Sequence, residues 1–122
     1  MTNGSDPKHE ERPWGSFTVL DDQSTHKVKT ITVHPGHRLS YQQHARRSEH
    51  WFVVAGTATV TIDGIERTIQ RGEYVDIALG SWHRMENRGD APLVFIEVQL
   101  GEHFVPTDLV ELAVTAFAAW PP

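Results

Sequence analysis

The chain has 122 residues, 39% of them hydrophobic and 22% charged, which suits one globular domain able to bury about two-thirds of its unfolded surface. A net charge of −5 speaks against a nucleic-acid backbone or an anionic membrane as partner, while an anionic small molecule held by a few local cations stays open. The absence of cysteine excludes disulfides and thiolate metal sites, and no apolar run reaches the roughly 18 residues of a membrane span.

Residues 1–10 are expected to be a flexible N-terminus, and the polar opening MTNGSDPKHEERP has no apolar signal-peptide segment, so the expected location is the cytoplasm. From Trp14 to Leu20 apolar and small residues interleave before a turn at Asp21-Asp22-Gln23-Ser24. Val28 to His34 is a β-rich run stopped by Pro35-Gly36, and Leu39 to His44 is a further extended segment. His50 to Ile62 is the longest β-type stretch, interrupted at Ala55-Gly56. Asp63-Gly64 then supplies a hairpin turn into Ile65–Ile69. Short strands follow at Tyr74–Ile77, Trp82–Glu86 and Pro92–Leu100, separated by turns at Leu79-Gly80-Ser81 and Asn87-Arg88-Gly89-Asp90. Short strands at close spacing with glycine corners predict an all-β sandwich or barrel, spanning residues 11–106. In the tail, Asp108 and Glu111 fit a capping box ahead of Leu109, Leu112, Val114, Phe117 and Trp120. A short C-terminal helix over 107–120 is expected there, packed on the barrel or on a partner subunit.

Two segments each carry half of a candidate metal site. The first holds Gln42, His44 and Glu49, and the second holds His83. Residues two apart on a strand share a face, so Gln42 and His44 can point together, with Glu49 opening the next strand and His83 following a tight turn. Two imidazoles, a carboxylate and an amide oxygen form a four-ligand set for zinc, iron, manganese, cobalt or nickel. The other histidines get simpler readings. His9, His26, His34, His37 and His103 read as surface residues, and His50 points to the strand face opposite its neighbour Glu49.

At these residues the chain resembles the cupins, small double-sheet barrels with two sequence motifs. The first motif is matched by Gly36, His44, Glu49 and Gly56, with Gln42 where a histidine is usual. The second is matched by Gly72, Gly80, His83 and Asn87, with Ala78 in place of proline. Arg12-Pro13-Trp14-Gly15, Lys27 through Pro35-Gly36, Leu39-Ser40, Arg47 and Glu49-His50-Trp51 extend the likeness to a phosphomannose-isomerase domain. That domain usually follows a mannose-1-phosphate guanylyltransferase domain in bifunctional enzymes, and it too has glutamine at the first ligand position. The resemblance covers about residues 11–108 and implies a cupin jelly-roll barrel (a double-stranded β-helix). It also implies one divalent metal ion, zinc favoured, held by Gln42, His44, Glu49 and His83. The implied activity is metal-dependent interconversion of mannose 6-phosphate and fructose 6-phosphate. The chain departs from the family at Ala45-Arg46 and in its apolar tail after Glu111, and no guanylyltransferase segment is present. A metal cupin of another class, such as an iron dioxygenase, and a non-catalytic sugar-binding module remain the alternatives.

Such an isomerisation needs a Lewis acid, a proton carrier and a cation for the phosphate. Alternation along the last strand puts Phe95, Glu97 and Gln99 on one face, which makes Glu97 the candidate base. Lys29, on the same face as Ile31 and Val33, is its candidate partner or substitute. Arg47 and Arg12 are the candidate phosphate ligands, ahead of Arg46 and Arg84. Trp51, Phe52, Tyr74 and Phe95 read as packing residues, and a homodimer covering exposed strand edges is expected.

Overall fold

The computed structural model describes residues 8–101 and the backbone of 109–112. Eleven strands follow in chain order: β1 (Lys8–Arg12), β2 (Gly15–Asp22), β3 (His26–Val33), β4 (Tyr41–His44), β5 (Arg47–Ala55), β6 (Thr57–Ile62), β7 (Ile65–Gln70), β8 (Tyr74–Ile77), β9 (His83–Glu86), β10 (Leu93–Gly101) and β11 (Leu109–Leu112). They form a six-stranded sheet in the order β1-β2-β3-β10-β5-β8 and a five-stranded sheet in the order β11-β4-β9-β6-β7. Every pairing is antiparallel. The two sheets face each other across a core of Ile31, Val33, Trp51, Val53, Val60, Ile77, Met85, Leu93 and Phe95, as expected for an all-β jelly roll.

Local chemistry accounts for the corners. Asp63 and Gly64 adopt φ of 48° and 82°, the paired left-handed conformation of a two-residue hairpin, and they join β6 to β7 at the Ile62–Ile65 pair. Gly56 ends β5 at φ 84°, and a Cβ there would lie 2.6 Å from the Pro92 carbonyl oxygen. Only glycine meets both demands. Asn87 is buried and works as a tie. Its Nδ2 donates to the carbonyls of Val33 (2.9 Å) and Ala91 (2.8 Å), and its Oδ1 accepts from the Gly89 amide.

The core divides the barrel lengthwise. In β3, β5 and β10 the inward residues are apolar at one end, with Phe95 between Ile31 and Val53 in register. Further along the same strands the inward residues turn charged or polar: Lys29 on β3, Arg47 and Glu49 on β5, Glu97 and Gln99 on β10. Strand periodicity carries both ends, because a single alternating pattern keeps each strand's inward face continuous. One end of the barrel is therefore a sealed core and the other a lined pocket.

Two expectations need correction. Lys8, His9 and Glu10, assigned above to a flexible N-terminus, belong to β1, which pairs with β2 from Lys8–Val19 to Arg12–Gly15. Its KHEER sequence lacks alternation because an edge strand buries little and tolerates charge on both faces. In the expected helix over 107–120, residues 109–112 are instead β11, paired with β4 from Leu109–His44 to Leu112–Tyr41. Pairing there covers the open edge of β4, whereas an isolated helix of that length is marginal in water. The rest of that stretch lies outside the described residues.

Candidate metal centre and its pocket

His44 closes β4, Glu49 lies in β5 and His83 opens β9, and all three side chains are buried. Antiparallel pairing of β4 with β9 sets Gln42 opposite His83. The three side chains point inward to one place, and one ligand atom from each lies within 4.8 Å of the others. His44 Nε2 stands 3.4 Å from Glu49 Oε2, and His83 Nε2 stands 3.9 Å from Glu49 Oε1. Two ligand atoms on one zinc-like ion, bonded at about 2.0–2.2 Å, stand no more than about 4.4 Å apart. In the tetrahedral arrangement zinc prefers they stand about 3.4 Å apart, so the His44–Glu49 pair fits as it stands and the wider pairs must close by up to about 1.4 Å.

The surrounding contacts prepare these atoms for a cation. His83 Nδ1 donates to the Ser81 carbonyl at 3.0 Å, which leaves the Nε2 lone pair facing Glu49. Trp51 Nε1 donates to Glu49 Oε1 at 2.9 Å and its ring meets the His83 ring edge-on at 5.5 Å. Burial, aided by the nearby Arg47 charge, pushes His44 down to about 3. Burial likewise lowers His83, against the opposing pull of its bond to Ser81. Both imidazoles are thus neutral at physiological pH, as a metal ligand must be. His44 Nδ1 is buried without a hydrogen-bond partner among the described residues.

Glu49, Trp51 and His83 line a cavity of about 610 Å³, with His44 buried behind Glu49, and its walls include Arg12, Trp14, Phe17, Lys29, Gln42, Arg47, Glu97 and Gln99. Gln42 stands in the wall with its Nε2 donating to Ser40 Oγ at 2.8 Å. Arg47 reaches inward, with Nε 3.2 Å from Glu49 Oε2 and Nη2 donating to His44 Nε2 at 3.0 Å. Glu97 is buried beside them. Burial first, and then the negative charge of Glu49, raises its carboxyl to about 7. Gln99 donates through Nε2 to Glu97 Oε2. Lys29 is opposite Glu97 in register, yet among the described residues no direct ion pair joins them. Its ammonium instead lies over the Phe17 ring, 4.7 Å from the centroid. Arg12 sits at the rim over the same ring at 5.3 Å, paired with Glu10.

The structure thus brings Gln42, Glu49, His83, Arg47, Arg12, Lys29 and Glu97 to one pocket, with His44 against Glu49 at its edge. Arg46 is exposed and lines none of it, while Arg84 is buried and is also part of the wall. His50 faces outward, donating from Nδ1 to Asp76 Oδ1 at 2.6 Å and stacking on Tyr74. His9 and His26 make surface contacts with Glu11 and Asp21, and His34 and His37 are exposed; His103 lies outside the described residues. Sequence reasoning placed Gln99 on the right face but gave it no role, and it read Trp51 as packing alone. The spacing Glu49-x-Trp51 on one strand face was the available signal for the Trp51 bond.

Over 116 residues the chain is 44% identical to "Mannose-1-phosphate guanylyltransferase" of Escherichia coli K12, covering 89% of this chain and 24% of that enzyme. The chain therefore spans about a quarter of that relative. Among solved structures, the oxalate decarboxylase of Bacillus subtilis, described with Mn(II) centres, superposes with a TM-score of 0.72 at 28% identity, over 89% of this chain and 30% of that one. The cupin domain of Schizosaccharomyces pombe Cnp3 superposes with a TM-score of 0.69 at 10% identity, over 70% of this chain and 64% of that one, and so bears on the fold alone. The family described as "Mannose-6-phosphate isomerase C-terminal" matches residues 4–113. The barrel, its His-Glu-His cluster and this match together place the chain in the mannose-6-phosphate isomerase C-terminal family, on a cupin fold.

Proposed function

We propose that this chain is a metal-dependent aldose–ketose isomerase interconverting mannose 6-phosphate and fructose 6-phosphate, or a closely related pair of sugar phosphates. The observation that carries this reading is one buried carboxyl, Glu97, in a cavity lined by Glu49 and His83 of the candidate metal cluster and by the cationic Arg12, Lys29, Arg47 and Arg84. His44, Glu49 and His83 would hold one divalent ion, zinc by family likeness, with Gln42 as the neutral fourth ligand. When bound, that ion supplies Lewis-acid polarisation of the sugar carbonyl. Glu97 takes the proton from C2 of the aldose and returns it to C1, while the hydroxyl proton passes from O2 to O1, which balances the aldose against the ketose. Burial, the first cause of its raised proton affinity, favours the protonated carboxyl, so Glu97 can hold the proton it takes until it returns it. Gln99 orients the Glu97 carboxylate through its amide. Arg47, Lys29 and Arg12 present positive charge for the phosphate.

The charged lining supports an isomerase over an oxygenase of the cupin class, for which an apolar pocket suits better, and the open cavity supports it over a plugged binding module. A cytoplasmic homodimer, with a partner copy covering the exposed edge strands, completes the proposal. The test is an isomerase assay on the purified chain, by proton NMR, with and without added zinc. Interconversion that depends on metal is expected. Folded, zinc-loaded protein that leaves both sugar phosphates unchanged would refute the reading.

A further inference from the structure

We propose that Arg47 and a divalent cation exchange places at His44 and Glu49, and that the guanidinium so released takes an anionic ligand in the pocket. Metal and anion then bind cooperatively. This inference rests on His44, Glu49 and His83 being the metal ligands, and goes beyond that reading by linking their occupancy to a side chain that ligates nothing.

Arg47 and a metal ion compete for a single lone pair. A neutral imidazole nitrogen accepts one hydrogen bond or binds one metal ion, never both. His44 Nε2 accepts from Arg47 Nη2 at 3.0 Å, and it is also the nitrogen that stands 3.4 Å from Glu49 Oε2 in the candidate metal set. The same guanidinium reaches Glu49 Oε2 through Nε at 3.2 Å. Arg47 therefore engages two of the three side chains that would coordinate an ion. Charge points the same way. A guanidinium and a divalent ion sharing these partners would repel strongly in a site where His44 is 2% exposed and Glu49 is 5% exposed, with little water to screen them.

The side chain has somewhere to go. Arg47 opens β5 and faces Gly101 across the ladder, so no cross-strand side chain holds its stem. It lines the same cavity as Lys29 and Arg12, both of which lie over the Phe17 ring. A guanidinium turned away from His44 adds a forked donor to this cationic wall, the geometry that suits a phosphate or sulfate group. Metal binding then prepares the anion site. By thermodynamic reciprocity, an anion that holds Arg47 in the pocket strengthens metal binding by the same factor.

The test is calorimetric titration of zinc into the metal-free protein, in chloride and in sulfate at matched ionic strength, for the natural chain and for Arg47→Gln. Zinc binding by Arg47→Gln is expected to be about tenfold tighter, and sulfate should strengthen zinc binding by the natural chain about fivefold while leaving the variant unchanged. Equal zinc affinities in the two proteins would overturn the exchange while leaving the metal site intact. A sulfate effect that persists in Arg47→Gln would also overturn it, since sulfate would then be ligating the metal directly. Failure of both proteins to bind zinc would overturn the metal site and the exchange together. A readout in the natural chain covers the case of a misfolded variant. The Arg47 Nε–H NMR signal should be protected from solvent exchange without zinc and lose that protection on zinc addition, and a signal that stays protected refutes the exchange.

Discussion

Glu97→Gln separates a residue kept for chemistry from one kept for stability. The carboxyl is buried, and its affinity for a proton is raised from the ordinary 4.5 to about 7 by burial first and by Glu49 second. The sign follows from linkage. Between the ordinary carboxylate value and about 7, the folded protein holds a proton that the unfolded chain has lost, so stability falls as pH rises through that window. At about 1.4 kcal/mol per unit, the ionised group costs the fold on the order of 3 kcal/mol above pH 7. Glutamine has the shape of the protonated acid and never ionises. In chelator-treated protein, urea unfolding should therefore show the variant more stable than the natural chain by up to about 3 kcal/mol at pH 8, converging at pH 4.5. Turnover of fructose 6-phosphate by the metal-loaded variant should drop by about two orders of magnitude or more, with metal content unchanged. A variant that is markedly less stable at pH 8 would mean that Glu97 is held by an ion pair with Lys29, reversing the sign of the argument. Intact turnover in a folded, metal-loaded variant would remove Glu97 from the mechanism.

Three further outcomes are expected. His83→Ala should lose bound metal by elemental analysis, while His50→Ala, altered on the outer face beside Asp76, should keep it. Trp51→Phe removes the indole donor 2.9 Å from Glu49 Oε1, which should cost about 1–3 kcal/mol in urea unfolding and weaken zinc binding, because one oxygen of a buried carboxylate loses its donor while Arg47 holds the other. Gly56→Ala meets both a φ of 84° and a carbonyl oxygen 2.6 Å from the new methyl group. Thermal unfolding should show a loss of about 2 kcal/mol or more without any change in the ligand atoms.

Local pattern along the chain marks most of the strands and their corners. Alternation and Asp-Gly or Pro-Gly turns mark β3, β6, β7, β8 and β10 to within a residue or two, because period-two burial and positive φ are both local properties. Alternation also set Glu97 inward and His50 outward, as a one-residue difference on a strand must. What local pattern does not encode is pairing between distant strands. Strand β1 was illegible because an edge strand buries too little to need a pattern, and β11 because Asp108 and Glu111 imitate a helix start while the open edge of β4 exerts its pull only in three dimensions. The tertiary structure alone decided that Arg47 bridges His44 and Glu49, that Trp51 supports Glu49, and that Lys29 lies over Phe17 instead of pairing with Glu97. Each of these depends on a register between strands and on competition among several partners within a few ångströms, and neither quantity is a property of any one segment of the chain.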